Sequence, residues 1–208
     1  MNLEVHSIGI DNYREWLIKK HYAKRLCSVS YSFGLYIDGV ISGVCTFGKP
    51  ASNSLCIGVC GKENSKYVYE LNRLCVNDGL PKNTLSKFLG ICLKKLPSLI
   101  IVSYADTKMN HNGYIYQATN WIYTGRTKER TDISAGLNKH SKNYDKNTDY
   151  SKNRKLRSSK HRYVYFTGNK RLKKSWLKSL NYKTEPYPKG DNKRYDASYK
   201  PNIQLTIL

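Results

Sequence analysis

The sequence is poor in acidic residues and has no long apolar run. Only 15 Asp and Glu stand against 36 Lys and Arg in 208 residues. The acids are scattered, which argues against a two-metal nuclease, since such a centre needs clustered carboxylates. No run of about 18 apolar residues occurs, so we expect no membrane-spanning helix. The first residues combine acids with no apolar core segment, so we expect no signal peptide.

The sequence also lacks a repeated pair of zinc ligands. Cys56 and Cys60 are close in the chain, but no second Cys or His pair follows at zinc spacing. Without a secretory signal, the six cysteines are expected to be reduced and mostly buried as small hydrophobic side chains. No metal site is predicted.

What the sequence has instead is positive charge, unevenly spread. The net charge is +21. Residues 1–123 carry 14 basic and 8 acidic residues, whereas residues 124–208 carry 22 basic and 7 acidic ones. Such a surface attracts polyanions. A solubilising surface is the alternative, and a membrane surface is disfavoured because no broad amphipathic helix accompanies the charge.

Hydrophobic periodicity predicts an α/β fold with a mixed sheet, antiparallel first and parallel later. The predicted helices are 12–20, 84–96, 112–120 and 170–180. The predicted strands are 28–37, 40–47, 67–76, 99–104, 121–124 and 162–167. Asp38-Gly39 is a strong hairpin signal. A polar loop is expected after this hairpin, and residues 126–160 are expected to be a loop that orders on a polyanion.

Several stretches resemble the Mom adenine-modification family of bacteriophages, within a GNAT-like acyl-CoA N-acyltransferase fold. They are HYAKR at 21–25, FGLYIDGVISGVCTFGKPAS at 33–52, YELNRLCVNDGLPKNTLSKFL at 69–89, VSYADTKMNHNGYIYQATNWIYTG at 102–125 and KHRYVYFTG at 160–168. The resemblance implies transfer of a methylcarbamoyl or acyl-type group to the N6 amine of adenine. It further implies protection of phage DNA from restriction, in the cytoplasm of the bacterial host.

The resemblance also implies acetyl-CoA or a related acyl-CoA as cofactor. The implied contacts are Arg73, Leu74, Val76, Asn83, Thr84, Ser86 and Ser103. The stretch 79–86 departs from the usual cofactor loop because its close-approach glycines are missing. Asn83, Thr84 and Ser86 could cap the next helix and offer hydroxyl contacts instead. An ordinary capping turn is the alternative.

Adenine N6 is a poor nucleophile, so proton removal and charge stabilisation both matter. Asp106 is the first catalytic candidate, because it follows the apolar strand 99–104, at the strand end where the sites of α/β proteins gather. Desolvation there is expected to raise its pKa. A cap for the next turn is an equally good interpretation from spacing alone.

Three further residues are catalytic candidates through the resemblance. A histidine such as His21 can titrate near neutrality, and Tyr22 can donate a hydrogen bond or stack on a base. Tyr116 matches the tyrosine that protonates the leaving thiolate in acetyltransferases, although a core aromatic is a strong alternative. Glu70 and Arg73 could form a cross-strand ion pair.

The basic residues of the second half suit a phosphate track. The predicted DNA-binding residues are Arg25, Arg154, Arg157, Lys160 and Arg162, with Lys155 and His161 in the same cluster. Tyr163 and Tyr165 are expected to stack on an extruded base, since chemistry on N6 needs the base out of the stack.

We therefore predict a catalytic core over 1–125 and a basic, DNA-binding segment over 126–208 that completes the domain. The partner is double-stranded or locally opened DNA, laid across a cleft whose floor lies near Asp106. Two alternatives stay open. One is a GNAT-like acetyltransferase acting on a protein or small molecule, and the other is a non-catalytic DNA-binding protein.

Overall fold

A seven-stranded mixed sheet flanked by helices forms the body of the protein. The computed structural model describes residues 2–134, 144–145 and 147–190. The strands are β1 (Leu3–Ser7), β2 (Tyr31–Ile37), β3 (Val40–Gly48), β4 (Val68–Val76), β5 (Ile100–Asp106), β6 (Ile122–Arg126), β7 (Arg130–Ile133), β8 (Arg154–Arg157) and β9 (Lys160–Phe166). The main sheet has the order β1-β2-β3-β4-β5-β9-β6, and β7 pairs with β8 separately. The predicted α/β fold is confirmed.

Five α-helices pack around the strands in this part of the chain. They are α1 (Ile10–Glu15), α2 (Asn53–Cys60), α3 (Thr84–Lys95), α4 (Tyr114–Ala118) and α5 (Lys170–Lys178). A π-helical turn, Trp16–Lys20, continues α1, and short 3₁₀ turns occupy Ser65–Tyr67 and Thr107–Met109. None of the helices among the described residues is long and apolar enough to span a membrane.

The strongest local signals of the sequence hold in the structure. Asp38 and Gly39 adopt φ values of 49° and 80°, as a two-residue hairpin turn between right-twisted strands requires. The apolar stripe of α3 buries Phe88, Leu89 and Cys92. This stripe packs on one face of the sheet together with α4, whereas α2 and α5 cover the opposite face.

Two local expectations are wrong. The polar loop expected after β3 contains α2, which begins where the Ser52 side chain accepts a hydrogen bond from the Leu55 N–H (3.3 Å). Its residues Cys56, Val59 and Cys60 are buried against the sheet. This burial stabilises a helix that contains a single strong helix former, Leu55. Strand β1 was not predicted at all.

The predicted change from antiparallel to parallel pairing holds for one strand pair and is wrong for the strands beyond it. Among the strand pairs of the described residues, only β4 and β5 are parallel. Strand β9 comes from the basic half of the chain and inserts between β5 and β6, antiparallel to both. Such an insertion is a long-range pairing that local periodicity does not reveal. The boundary predicted at 125/126 lies inside β6.

The segment predicted as a loop contains two further strands. Residues 126–160 include β7 and β8, which pair with each other from Arg130↔Arg157 to Ile133↔Arg154. The loop prediction is wrong for these eight residues, because a cross-strand ladder can form there without apolar anchors. Residues 135–143 and 146 of the same predicted loop lie outside the described residues.

Candidate active site

The candidate site lies where the two parallel strands separate. Strands β4 and β5 pair over only three positions, Val68↔Ile100, Tyr69↔Ile101 and Glu70↔Val102. Beyond Glu70, β4 continues with β3 as its partner, while β5 continues with β9. Because the strands diverge, no backbone pairing joins β4 to β5 beyond Glu70 and Val102. Leu74 and Val76, predicted to contact a cofactor, lie on this part of β4.

A hydroxyl pair fills the point of divergence. Ser103 Oγ donates to the Leu71 carbonyl oxygen (2.9 Å) and lies 2.8 Å from the hydroxyl of Tyr116. A serine hydroxyl has one proton, so Tyr116 donates the second hydrogen bond. Burial raises the pKa of Tyr116 well above its usual value. The tyrosine therefore keeps its proton at neutral pH.

Glu70 is the carboxylate at this point, and its side chain is half-buried. Among the described residues, none donates a hydrogen bond to its carboxylate. Burial raises the pKa of Glu70, and nearby Arg73, Lys160 and Arg157 partly oppose that rise. Desolvation thus outweighs the surrounding positive charge. A carboxylate of this kind accepts a proton more readily than an exposed one.

His21 is buried near Arg73 as a neutral imidazole. Burial, followed by the positive charge of Arg73, lowers its pKa to about 3. The Ala23 N–H donates to its Nδ1 (3.1 Å), so the ring proton resides on Nε2. This tautomer favours His21 as a hydrogen-bond donor over a general base.

Tyr22 and His111 add two further rings to the site, and we call these residues, together with Glu70 and His21, the cluster. The Tyr22 ring contacts His21, with centroids 4.4 Å apart, and meets the edge of His111 at 5.8 Å. Burial raises the pKa of Tyr22, and the charge of Asp106 adds to that rise. Both Asp106 and Glu70 thus favour the protonated form of Tyr22.

Arg73 ties the HYAKR segment to β4. Its Nη1 donates to the Asn72 carbonyl (2.6 Å), and its Nη2 donates to the Arg25 carbonyl (3.4 Å). Its Nε is buried and has no hydrogen-bond partner among the described residues. A buried donor without a partner is costly unless a ligand supplies the acceptor.

Asp106 is anchored from three sides. Its Oδ1 accepts from Ser158 Oγ (2.6 Å) and from the Lys108 N–H (3.0 Å), and its Oδ2 pairs with Lys160 Nζ (3.0 Å). Burial alone would raise the pKa of Asp106, but the hydrogen bonds from Ser158 and Lys160 hold it below its usual value. The expected rise is therefore wrong. The capping role weighed from the sequence is present, because Asp106 caps the 3₁₀ turn.

The remaining cofactor candidates lie at the start of α3. Asn83 occupies the N-cap position with φ 67°, but its side chain makes no capping hydrogen bond. Ser86 Oγ donates to the Asn83 carbonyl (3.0 Å), and Thr84 is buried. The predicted side-chain cap by Asn83 is thus wrong, since Asn83 has a left-handed backbone and not the extended one that capping residues usually adopt.

The predicted DNA-binding residues separate into two groups. Arg25, Arg157 and Lys160 all act on the pKa of Glu70 and so lie near the cluster. Arg162 donates to Thr124 Oγ1 and O (2.9 Å each) and lies 3.4 Å over the ring of Tyr182. Arg154 lies farther out on β8, where its Nε donates to Thr131 Oγ1 (2.9 Å).

The expectation that Tyr163 stacks on a base is wrong. Its side chain is fully buried, and its hydroxyl donates to the Asn112 carbonyl (2.6 Å). The ring packs on Tyr116 and Tyr123, with centroids 5.0 and 5.1 Å away. Tyr165 is partly buried against Trp121 (5.4 Å).

Sequence reasoning missed the central carboxylate. Glu70 was considered only as an ion-pair partner of Arg73, because an acid inside a strand gives no sign that the neighbouring strand departs. His111 and Ser158 were missed as well. The available signal was the run of polar residues inside β4, namely Glu70, Asn72 and Arg73.

Solved structures with a similar fold include acetyltransferases. One is a putative acetyltransferase from Salmonella typhimurium with its cofactor acetyl-CoA, at 10% identity and TM-score 0.46, covering 81% of this chain and 96% of that one. Another is a GNAT family acetyltransferase from Bacillus cereus, at 12% identity and TM-score 0.45, covering 81% and 100%. These likenesses concern the outline of the fold and carry nothing about the site.

Sequence comparison is more specific. The methylcarbamoylase Mom of Escherichia phage Mu is 26% identical over 202 residues, which cover 90% of this chain and 84% of that protein. The model of the Mom protein family matches residues 2–189. That span includes β4, β5, the HYAKR segment and both strands of the β7–β8 pair. The chain therefore belongs to the Mom protein family.

Proposed function

We propose that this chain is a DNA base-modifying transferase, which adds a methylcarbamoyl or related acyl-type group to the N6 amine of adenine in phage DNA. The observation that carries the proposal is the family match across the whole site, with a desolvated carboxylate and a cationic surround at its centre. In this role the protein acts in the cytoplasm of the bacterial host. The family favours this activity over acetylation of a protein or small molecule.

Glu70 is the proposed proton acceptor. As the new N6–carbon bond forms, N6 must lose a proton, and a carboxylate with a raised pKa is suited to take it. The cations around it, Arg25, Arg73 and Arg157, would hold DNA phosphate at the same time. His21 Nε2–H and the Tyr22 hydroxyl would donate hydrogen bonds to developing negative charge.

The proposed cofactor is an acyl-CoA, and the chain fits such a group in two respects. The unladdered edge of β4 near Leu74 and Val76 offers backbone groups to an extended amide chain. The uncapped start of α3 offers N–H groups to phosphate. When bound, the cofactor would supply an activated carbon. Tyr116, which keeps its proton, is the residue proposed to protonate the leaving group.

The test is to express the protein in a bacterium, digest the DNA to nucleosides and analyse them by mass spectrometry. We expect a new deoxyadenosine species of higher mass, absent from cells carrying the empty vector. Unaltered deoxyadenosine in cells that contain folded protein would refute the proposal. A protein that binds DNA without altering it would be the non-catalytic alternative.

A further inference from the structure

The two chain segments that form β6 and β9 continue as a pair beyond the main sheet. The two segments are hydrogen-bonded to each other at a bend. There the Thr127 N–H donates to the Lys160 carbonyl (2.9 Å), and the Lys160 N–H donates to Thr127 Oγ1 (3.0 Å). After the bend the same two chain segments pair again as β7 and β8. We call β7 and β8, residues 130–133 and 154–157, the ribbon. None of its described residues belongs to the hydrophobic core clusters.

The bend is fastened to the end of β5. Ser158 and Lys160 both bind the Asp106 carboxylate, at 2.6 and 3.0 Å. Thr107 Oγ1 donates to the Ser159 carbonyl (2.7 Å), and Arg126 Nη2 donates to Ser159 Oγ (2.6 Å). The ribbon therefore starts directly beside the candidate site, in a direction that these side chains define.

The ribbon has two different faces. Cross-strand partners share a face, so Arg130, Arg157 and Lys155 lie together around Asp132, which pairs with Arg157 Nη1 at 2.7 Å. This face adjoins the site, as Arg157 also acts on the pKa of Glu70 and of Arg25.

The other face carries an exposed leucine among cations. Leu156 is opposite Thr131 and 62% exposed. Arg154 lies on the same face as Leu156. Lys155 and Arg157, the neighbours of Leu156 along the strand, lie on the opposite face. A protein partner with an apolar pocket would have to tolerate this positive charge. A nucleic-acid duplex accommodates both the cations and the leucine, because its backbone is anionic and its interior is a stack of apolar base surfaces.

We propose that the ribbon enters a groove of duplex DNA and that Leu156 wedges between neighbouring base pairs. A two-stranded ribbon fits a DNA groove, and apolar side chains that enter base steps unstack them. The nucleotide released from the stack passes to the opposite face of the ribbon, where Arg157 and the cluster around Glu70 receive it. This inference rests on the proposed DNA substrate and adds the means by which the base leaves the duplex.

The test compares Leu156→Ala with Leu177→Ala. Leu177 is a matched control, because it is 52% exposed and lies on the basic helix α5. Each protein is bound to plasmid DNA and treated with permanganate, which oxidises thymines that are out of the stack. Duplex binding is measured in parallel by gel shift. Neither assay requires the donor of the added group.

We expect the unmodified protein and Leu177→Ala to produce reactive thymines. Leu156→Ala is expected to lower this reactivity on the order of ten-fold, while duplex affinity changes less than about three-fold, since no phosphate contact is removed. Equal reactivity in Leu156→Ala and the unmodified protein would overturn the wedge. So would DNA binding without any reactive thymine. Failure of the unmodified protein to bind duplex DNA would instead refute the proposed function.

Discussion

The two carboxylates Glu70, on β4, and Asp106, on the neighbouring β5, have opposite surroundings. Glu70 is half-buried where β4 and β5 diverge and accepts no hydrogen bond from the described residues, so desolvation raises its pKa. Asp106 is also partly buried, but Ser158 and Lys160 bind it and lower its pKa. Hydrogen bonds to the ionised form, rather than burial alone, decide which carboxylate can take a proton at neutral pH.

The comparison teaches that the two acids have different tasks. A pair of titratable groups whose environments separate their pKa values divides acid–base work from structural work. Glu70 has the properties of a proton acceptor, and Asp106 has those of an anchor for the ribbon. Asp106 was the first choice from the sequence, because it follows a buried strand.

The largest effect is expected for Glu70→Gln. Removal of a general base lowers the rate about 10²- to 10⁴-fold. Stability should be unchanged or higher by about 1 kcal/mol, because an ionised group without hydrogen bonds leaves a buried site. Modified deoxyadenosine in cells and thermal unfolding are the measurements. Glu63→Gln, on the exposed loop before β4, is the control; equal modification in both variants would remove Glu70 from the mechanism.

Asp106→Asn should cause a smaller loss, about ten-fold, through a loosened ribbon. Hydrogen exchange of residues 127–133 and 154–160 should become faster, and unfolding should cost about 1–3 kcal/mol less. Since its folded pKa is lowered, the stabilisation by Asp106 is present above pH 4 and lost as the pH falls further. A variant with unchanged exchange in the ribbon would contradict the anchoring role.

His21→Asn should change the pH dependence of stability. The pKa of His21 falls to about 3 on folding, so unfolding takes up a proton between about pH 6.5 and pH 3. Stability should then decrease by at most about 1.4 kcal/mol per pH unit on acidification. Asparagine can still accept from the Ala23 N–H but does not titrate. Denaturant unfolding at pH 7 and pH 5 should show a flatter profile than in the exposed control His6→Asn.

The smallest effect is expected for Arg154→Gln. Arg154 lies on the same face of the ribbon as Leu156. Its loss should weaken DNA binding a few-fold and lower the slope of log affinity against log salt concentration by about 1. Lys95→Gln, on α3 away from the ribbon, should leave the slope unchanged. A slope that is the same in both variants would exclude a phosphate contact for Arg154.

The local elements were accessible from the sequence where short-range chemistry dominates. The Asp38-Gly39 turn and the stripe of Phe88, Leu89 and Cys92 depend on neighbours within a few residues. The helix α2 was missed because its stability comes from burial of Cys56 and Val59 against distant strands. Strand β9 was found, but its place between β5 and β6 was not.

The sequence by itself determined the charge of the chain, its main helices and strands, and the motifs that carry the family resemblance, because these are properties of residues close together in the chain. Only the tertiary structure decided which acid is desolvated, which is hydrogen-bonded, and that the basic segment forms a two-faced ribbon. Each of these depends on strands whose paired residues lie more than 20 positions apart in the chain, such as β4 with β5 and β7 with β8. Burial and hydrogen bonding across such distances set the pKa values, so no local pattern could assign the tasks of Glu70 and Asp106.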